Sequence, residues 1–329
     1  MQKQTIAILG AGSWGSAIAI HLAKSGHHVL LWGRNPQHIA EMITARANQN
    51  YLPDISFPSN IEPTTDLNLS IKQADKIIIA VPSHAFSNLL EQINCQIHSL
   101  AWLTKGVDPK THKLLSDLVK ERFGENLPIG VIAGPSFARE VALSLPTALT
   151  IASNEKKYQS QLQQLLHQNN LRVYRSFDIT GVQICGAIKN ILAIACGISD
   201  GLGYGANAKA ALITRGLAEM TRLGLALGAK PETFTGLAGV GDLVLTCTDN
   251  QSRNRRFGLQ LGKGVDIVEA ERHIQQVVEG KYNAAQICSM AKKNQVEMPI
   301  CEQVNHLLLG KITAKEAVTA LMNRPAKME

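Results

Sequence analysis

Short β-branched runs alternate with stretches of helical period along the first half of the chain. The runs are "TIAILG" (5–10), "HVLLWG" (28–33), "KIIIAV" (76–81), "SLAWLT" (99–104), "IGVIAG" (129–134), "TALTIA" (147–152) and "LRVYRS" (171–176). Between several of them lie helical patterns, such as 13–25 and 111–123. Strands alternating with helices predict a doubly wound, mostly parallel sheet. After about residue 178 the rhythm stops, and helices are predicted near 179–198, 206–228, 252–262, 281–293, 299–309 and 313–322. The last opens with "TAKE", which makes Thr313 the N-cap and Glu316 its capping-box partner. The pattern therefore predicts an α/β domain over 1–178 and an all-α domain over 179–329, joined near Phe177–Gly181.

Composition narrows the class. A length of 329 residues suits two domains, and 45% hydrophobic with 18% charged residues reads as an ordinary globular protein. "MQKQTIAILGAG" runs straight into a strand, and the longest apolar runs are broken by Lys189 or glycines. The expectation is a cytoplasmic protein without stable membrane insertion. Six cysteines occur with no C-x-x-C, so they read as small core residues. The charge of +7 has one dense basic run, "SRNRRFG" (252–258), and aromatics are only 5%. That argues against nucleic acid as a partner and for an anionic small molecule.

The predicted first helix of the second domain holds an anomaly. In "ICGAIKNILAIACGISDG" (184–201), Lys189 sits in an apolar run. Its helical neighbours at three and four residues are Gly186, Cys185, Leu192 and Ala193, none of them a carboxylate. Asp178 and Asp200 lie eleven positions away, or roughly 16 Å along a helix. Either the ammonium snorkels to solvent, or its partner comes from a distant segment and it has a task. The helix lies beside the expected domain junction, where ligand clefts are common.

"ILGAGSWG" carries Gly10, Gly12 and Gly15 in G-x-G-x-x-G spacing, between a strand and a helix. In that context the three glycines provide a tight turn, close approach to a pyrophosphate and helix–strand packing. The loop reads as a Rossmann dinucleotide site, the alternative being a purely structural turn. The second strand ends "LLWGRN", with Arg34 where an NAD-preferring site usually has an acid. Arg34 either pairs with a 2′-phosphate, favouring NADPH with NADH still possible, or is a solvated surface charge.

Three further stretches carry candidate chemistry. "LTKGVD" puts Lys105 at a strand end, where doubly wound sheets present ligands, or as a plain surface lysine. "AGPSFARE" (133–140) offers Gly134 and Ser136 in a turn. "GLAGVGDLVLTCTDNQSRNRRFG" (236–258) supplies Asp242, then Ser252, Arg253 and Asn254 at a predicted helix start, an arrangement suited to phosphate. The alternatives are that Asp242 caps a turn and that the arginines form a solvated face.

Taken together, "GAGSWG", "VPSHAF", "TKG", "GPSFARE", "GAIKNILAIACGISDGLGYGANAKAALITRGLAEM", "GLAGVGDLVLTC" and "SRNRRFG" run in order over nearly the full length. The chain thereby resembles bacterial NAD(P)-dependent glycerol-3-phosphate dehydrogenases. The resemblance implies an N-terminal Rossmann domain for NADPH or NADH and a helical domain that closes over substrate. It implies reversible reduction of dihydroxyacetone phosphate to sn-glycerol 3-phosphate, feeding phospholipid synthesis, in a homodimer. It assigns Ser13, Trp14, Arg34, Lys105, Ala138, Arg253, Val277 and Glu279 to the cofactor. Lys105, Gly134, Ser136, Asp242, Ser252, Arg253 and Asn254 would hold substrate. Lys189 would be the proton donor and acceptor.

Those residues can support the chemistry. Carbonyl reduction needs a proton on the nascent alkoxide, and a partly desolvated lysine near other cations is expected to titrate low enough to supply it. Asp242 would orient Lys189, with Lys105 and Arg253 as cationic neighbours. No His/Cys/Asp grouping has metal-ligand spacing, so no metal is expected. The rivals are a related hydroxyacid dehydrogenase and a non-catalytic NADP(H)-binding redox sensor.

Overall fold

A computed structural model describes residues 3–325, so the expected outer domain limits, residues 1 and 329, lie outside it. The strands are β1 (Thr5–Leu9), β2 (His28–Trp32), β3 (Ile61–Thr64), β4 (Lys76–Ile79), β5 (Leu100–Trp102), β6 (Ile129–Ala133), β7 (Thr147–Ser153) and β8 (Leu171–Ser176). Between and around them run α1 (Ser13–Lys24), α2 (Pro36–Ala45), α3 (Leu67–Gln73), α4 (Ser83–Gln92), α5 (Leu115–Phe123), α6 (Ala138–Ala142) and α7 (Lys156–Leu166). One sheet results, in the order β3-β2-β1-β4-β5-β6-β7-β8. Every pairing is parallel except β6 with β7. The order reverses at β1, which lies between β2 and β4. The carboxyl ends of β1, β2, β4, β5 and β6 therefore share one edge, the usual ligand edge of such sheets.

β3 was not among the predicted strands. Its sequence, IEPT, contains Pro63, which lacks the N–H that a central strand must donate. The proline is tolerated because β3 is the edge strand, paired only with β2. β1 itself is central: Ile6, Ala7, Ile8 and Leu9 are all 0% exposed.

The second compact unit contains the segment Gly106–Leu114 together with the chain from Thr180 onward, while Leu115–Ile179 belongs with the sheet. Its helices are α8 (Ile179–Gly201), α9 (Ala206–Ala226), α10 (Pro231–Thr235), α11 (Asp242–Thr248), α12 (Arg253–Gly262), α13 (Ile267–Ile274), α14 (Glu279–Lys293), α15 (Pro299–Leu308) and α16 (Ala314–Met322). A single π turn, Leu237–Gly241, joins α10 to α11. The capping box at Thr313 and Glu316 forms as expected.

α8 is the axis of this unit and is buried all round from Gly181 to Ser199. By length and composition alone it is apolar enough to cross a membrane, even though Lys189 interrupts the apolar run. Its burial inside the helical unit explains the apolarity instead. α12 packs closely against it: a Cβ on Gly197 would lie 2.1 Å from the Arg255 carbonyl oxygen, and one on Gly258 2.1 Å from that of Ile194. Glycine on both helices lets the backbones meet, bringing the start of α12 to the middle of α8.

Candidate active site

In the helical unit, α8 presents Lys189 and Asn190 side by side, and each finds a different partner set. The Lys189 side chain is 6% exposed and that of Asp242 is 1% exposed. Lys189 Nζ donates to Asp242 Oδ1 at 2.5 Å and to Thr246 Oγ1 at 2.9 Å. The Thr246 hydroxyl in turn donates to the Asp242 carbonyl at 2.5 Å, a one-turn back-bond within α11. The glycine-rich π turn makes this possible. A Cβ on Gly239 would lie 2.2 Å from the Phe234 carbonyl oxygen, so only glycine allows the tight fold-back that delivers Asp242 to α8. Behind the pair, the Cys196 and Cys247 thiols are neighbours in the core, and the Cys196 contact, with burial, pushes Cys247 well above the usual thiol range.

Asn190 is 4% exposed and builds a second network. Asn254 Nδ2 donates to Asn190 Oδ1 at 3.0 Å, and the Gly280 N–H donates to Asn254 Oδ1 at 2.9 Å. Asn190 Nδ2 reaches Glu279 Oε2 at 3.3 Å. Asn254 and Glu279, both expected at the ligands, are thus tied to α8 through a residue to which the sequence reading gave no role.

The "SRNRR" run separates into distinct environments. Ser252 is the N-cap of α12 and accepts the Arg255 N–H at 3.2 Å. Arg255 is buried and donates to Asp200 and Asn250; Asp200 also pairs with Lys209 at 3.0 Å. Its charge is neutralised inside the unit. Arg253, at the first position of α12, is half-buried and makes no hydrogen bond or ion pair among the described residues. Arg256 is likewise half-buried with its Nε unpartnered, so Arg253 at the helix start and Arg256 one turn on are the arginines of the run not held by a carboxylate among the described residues. Val277 is half-buried, two residues before α14.

In the sheet unit, the remaining candidates collect at the shared strand edge. Gly10, Gly12, Ser13, Trp14 and Gly15 follow β1, Arg34 follows β2, Lys105 follows β5, and Gly134, Ser136 and Ala138 follow β6. Arg34 is exposed; Lys105, Ser136 and Ala138 are half-buried. Ser136 Oγ donates to the Gly134 carbonyl at 2.9 Å, and Trp14 and Ala138 pack on the edge of the sheet's core.

The three loop glycines have different causes. Gly10 has φ +132°, and a Cβ there would sit 2.7 Å from the Ala80 carbonyl carbon; a Cβ on Gly15 would sit 1.9 Å from the Gly10 carbonyl oxygen. Gly12 is under neither constraint: its φ is −84°, and a Cβ there meets nothing within 4 Å. The chain's own packing would accept a side chain there, so packing does not account for this glycine. α1 has no side-chain N-cap and no acidic residue in its first turn, leaving its leading amides for an anion. On α4, burial and then the Arg34 charge lower the pKa of His84, which favours its neutral imidazole and leaves Arg34 as the charged group of the two.

The comparisons with known proteins follow this division. The sequence model described as NAD-dependent glycerol-3-phosphate dehydrogenase N-terminus matches residues 5–159, and that for the C-terminus matches residues 178–319. The chain is 67% identical to the glycerol-3-phosphate dehydrogenase [NAD(P)+] of Legionella pneumophila (strain Corby), over all of both chains. It is 51% identical to that of Bartonella henselae over 100% of this chain and 98% of the relative. A crystal structure of glycerol-3-phosphate dehydrogenase from Coxiella burnetii superposes with a TM-score of 0.94 at 49% identity, covering 98% of this chain and 99% of that one. The chain belongs to the NAD-dependent glycerol-3-phosphate dehydrogenase family.

Proposed function

We propose that this chain catalyses the reversible reduction of dihydroxyacetone phosphate to sn-glycerol 3-phosphate, with Lys189 as general acid and base. The observation that carries the reading is the buried Lys189–Asp242–Thr246 cluster, with the Arg253 side chain making no ion pair among the described residues of the same unit. A nicotinamide cofactor supplies or accepts the hydride at C2 of the substrate. In the reducing direction the Lys189 ammonium gives a proton to the developing C2 alkoxide; in reverse the neutral amine takes the hydroxyl proton. Asp242 and Thr246 hold Nζ in one place, so the donor is oriented before substrate arrives. Arg253 takes the substrate phosphate, aided by Ser252, and Lys105, Gly134 and Ser136 complete the substrate contacts. A phosphate-binding arginine disfavours hydroxyacid substrates that lack phosphate.

For the cofactor, Gly10, Gly12, Ser13, Trp14, Gly15 and Ala138 form the dinucleotide site, and the family resemblance adds Val277 and Glu279 to the cofactor residues. NADPH is the preferred form, because Arg34 offers positive charge to a 2′-phosphate and no carboxylate occupies the end of β2. The product feeds glycerophospholipid synthesis in the cytoplasm, and the working form is a homodimer.

The test is cofactor oxidation by purified protein given dihydroxyacetone phosphate, unphosphorylated dihydroxyacetone or a 2-keto acid. Turnover of the phosphorylated ketone alone, with a raised KM in Arg253→Ala, is expected. NADPH binding without turnover of any of these substrates would instead mark the protein as a redox sensor.

A further inference from the structure

Asn48, in the connection between α2 and β3, is 0% exposed, and both polar atoms of its side chain are engaged. Its Nδ2 donates to the Ala11 carbonyl at 3.0 Å and to Ser16 Oγ at 2.7 Å. Its Oδ1 meets His38 Nε2 at 2.9 Å and accepts the Tyr51 N–H at 3.3 Å. The Ala11 carbonyl can only accept, so the amide must turn its NH2 toward the loop. Oδ1 then faces His38, whose Nε2 must carry the proton. The Tyr51 ring closes edge-on over the His38 imidazole, with centroids 5.3 Å apart.

We infer that Asn48 is a positioning residue of the cofactor site: it clamps the Ala11 carbonyl between Gly10 and Gly12 and so sets the direction of the amides that meet the pyrophosphate. This rests on the reading of the glycine loop as the dinucleotide site. Glycine-flanked peptides rotate freely unless something holds them, and Asn48 holds the one between Gly10 and Gly12. The same side chain ties the loop to α1 through Ser16 and to α2 through His38. The N-cap of α2 is Asn35, adjacent to Arg34. One buried amide thus joins the loop for the pyrophosphate to the helix that follows the arginine for the ribose phosphate. The segment carrying Asn48 is itself braced. Arg46, with φ +49°, donates to the Ile61 carbonyl at 3.0 Å and to the Pro58 carbonyl at 2.5 Å, and Ala47 bridges to Ser56.

The clamp predicts a particular pattern. The pyrophosphate is common to both cofactors, so Asn48→Ala weakens NADPH and NADH alike, by about tenfold for hydrogen bonds worth ~1.4 kcal/mol in total. Ser16→Ala removes one partner only and weakens both cofactors by a smaller factor. Arg34→Ala, in contrast, weakens NADPH selectively. Dissociation constants come from fluorescence titration of each cofactor, with the thermal midpoint of the unliganded protein and kcat at saturating cofactor measured alongside. Support is a parallel rise in both dissociation constants that exceeds any change in kcat. If Asn48→Ala does not fold, the same parallel rise in Ser16→Ala is the supporting result. A lowered midpoint with unchanged dissociation constants would make Asn48 purely structural and overturn the inference. Gly12→Val is the control for the underlying reading: unchanged binding there would remove the loop from the cofactor site and the clamp with it.

Discussion

The Lys189–Asp242 pair permits a stability prediction that separates a built ion pair from a lysine that reaches solvent. With the two side chains 6% and 1% exposed, removing either partner leaves the other buried without its counter-charge. Breaking such pairs costs about 3–5 kcal/mol. Lys189→Met removes the counter-charge of the Asp242 carboxylate; Asp242→Asn removes that of the ammonium, which still donates to Thr246. In the double variant no charge remains, and the residual cost is that of a partly satisfied buried amide, about 1–3 kcal/mol. The two single losses therefore sum to about 6–10 kcal/mol while the double loses far less, a departure from additivity well beyond the ~0.5 kcal/mol seen for independent sites. Urea unfolding of the four proteins at neutral pH measures this directly. Additive losses, or a Lys189→Met variant as stable as the parent, would refute the reasoning and leave Lys189 as a solvated side chain. The double variant is also expected to be inactive, since restored stability does not restore a proton donor.

Three other outcomes follow from the geometry. Glu219 on α9 caps the start of α15, accepting the Ile300 and Cys301 N–H groups at 2.7 and 3.2 Å, yet burial raises its pKa from 4.5 to about 7. The folded state therefore holds this proton more tightly than the unfolded chain. The contribution is complete below pH 4.5 and lost as pH rises through about 7, amounting to about 3 kcal/mol. Glu219→Gln should flatten that decline in urea midpoints measured across the range, and an unchanged pH slope would contradict it. Thr246→Val keeps the volume but removes the hydroxyl that accepts from Lys189; kcat should fall about tenfold or more, the value of a hydrogen bond to a charged group, with the cofactor dissociation constant unmoved. Arg34→Ala should raise the KM for NADPH by about tenfold or more while sparing NADH, reflecting one lost charge-assisted contact; equal loss for both cofactors would remove Arg34 from 2′-phosphate recognition.

The sheet was legible because its signals are local. Apolar runs bounded by turns, and glycines at fixed spacing after a strand, lie within a few residues of one another. β3 escaped because Pro63 argues against a strand unless its edge position is known, and sheet order is not a local property. In the helical unit six of the helices and the capping box at Thr313 were legible, whereas α10, α11, α13 and the hydrogen bonds around Lys189 were not. Nothing within a turn of Lys189 identifies Asp242, 53 residues on; the absence of a nearby carboxylate left a distant partner as one of two readings, and the structure shows that one. Thr246 was overlooked because a threonine one turn after an aspartate is unremarkable until the π turn aims both at α8. Arg253 and Arg255 are indistinguishable in "SRNRR"; their helical phase against α8 sends one to Asp200 and leaves the other without a partner. Asn48 carried no signal at all, because its partners come from α1, α2 and the loop between β1 and α1.

The central claim is that Lys189 moves the proton. Its most direct test is kcat for dihydroxyacetone phosphate reduction in Lys189→Met beside the parent, with NADPH binding measured on the same samples. The account predicts a kcat lower by about a hundredfold or more, the usual size of a lost general acid, with cofactor affinity retained. A kcat within a few-fold of the parent in a folded, cofactor-binding variant would contradict it.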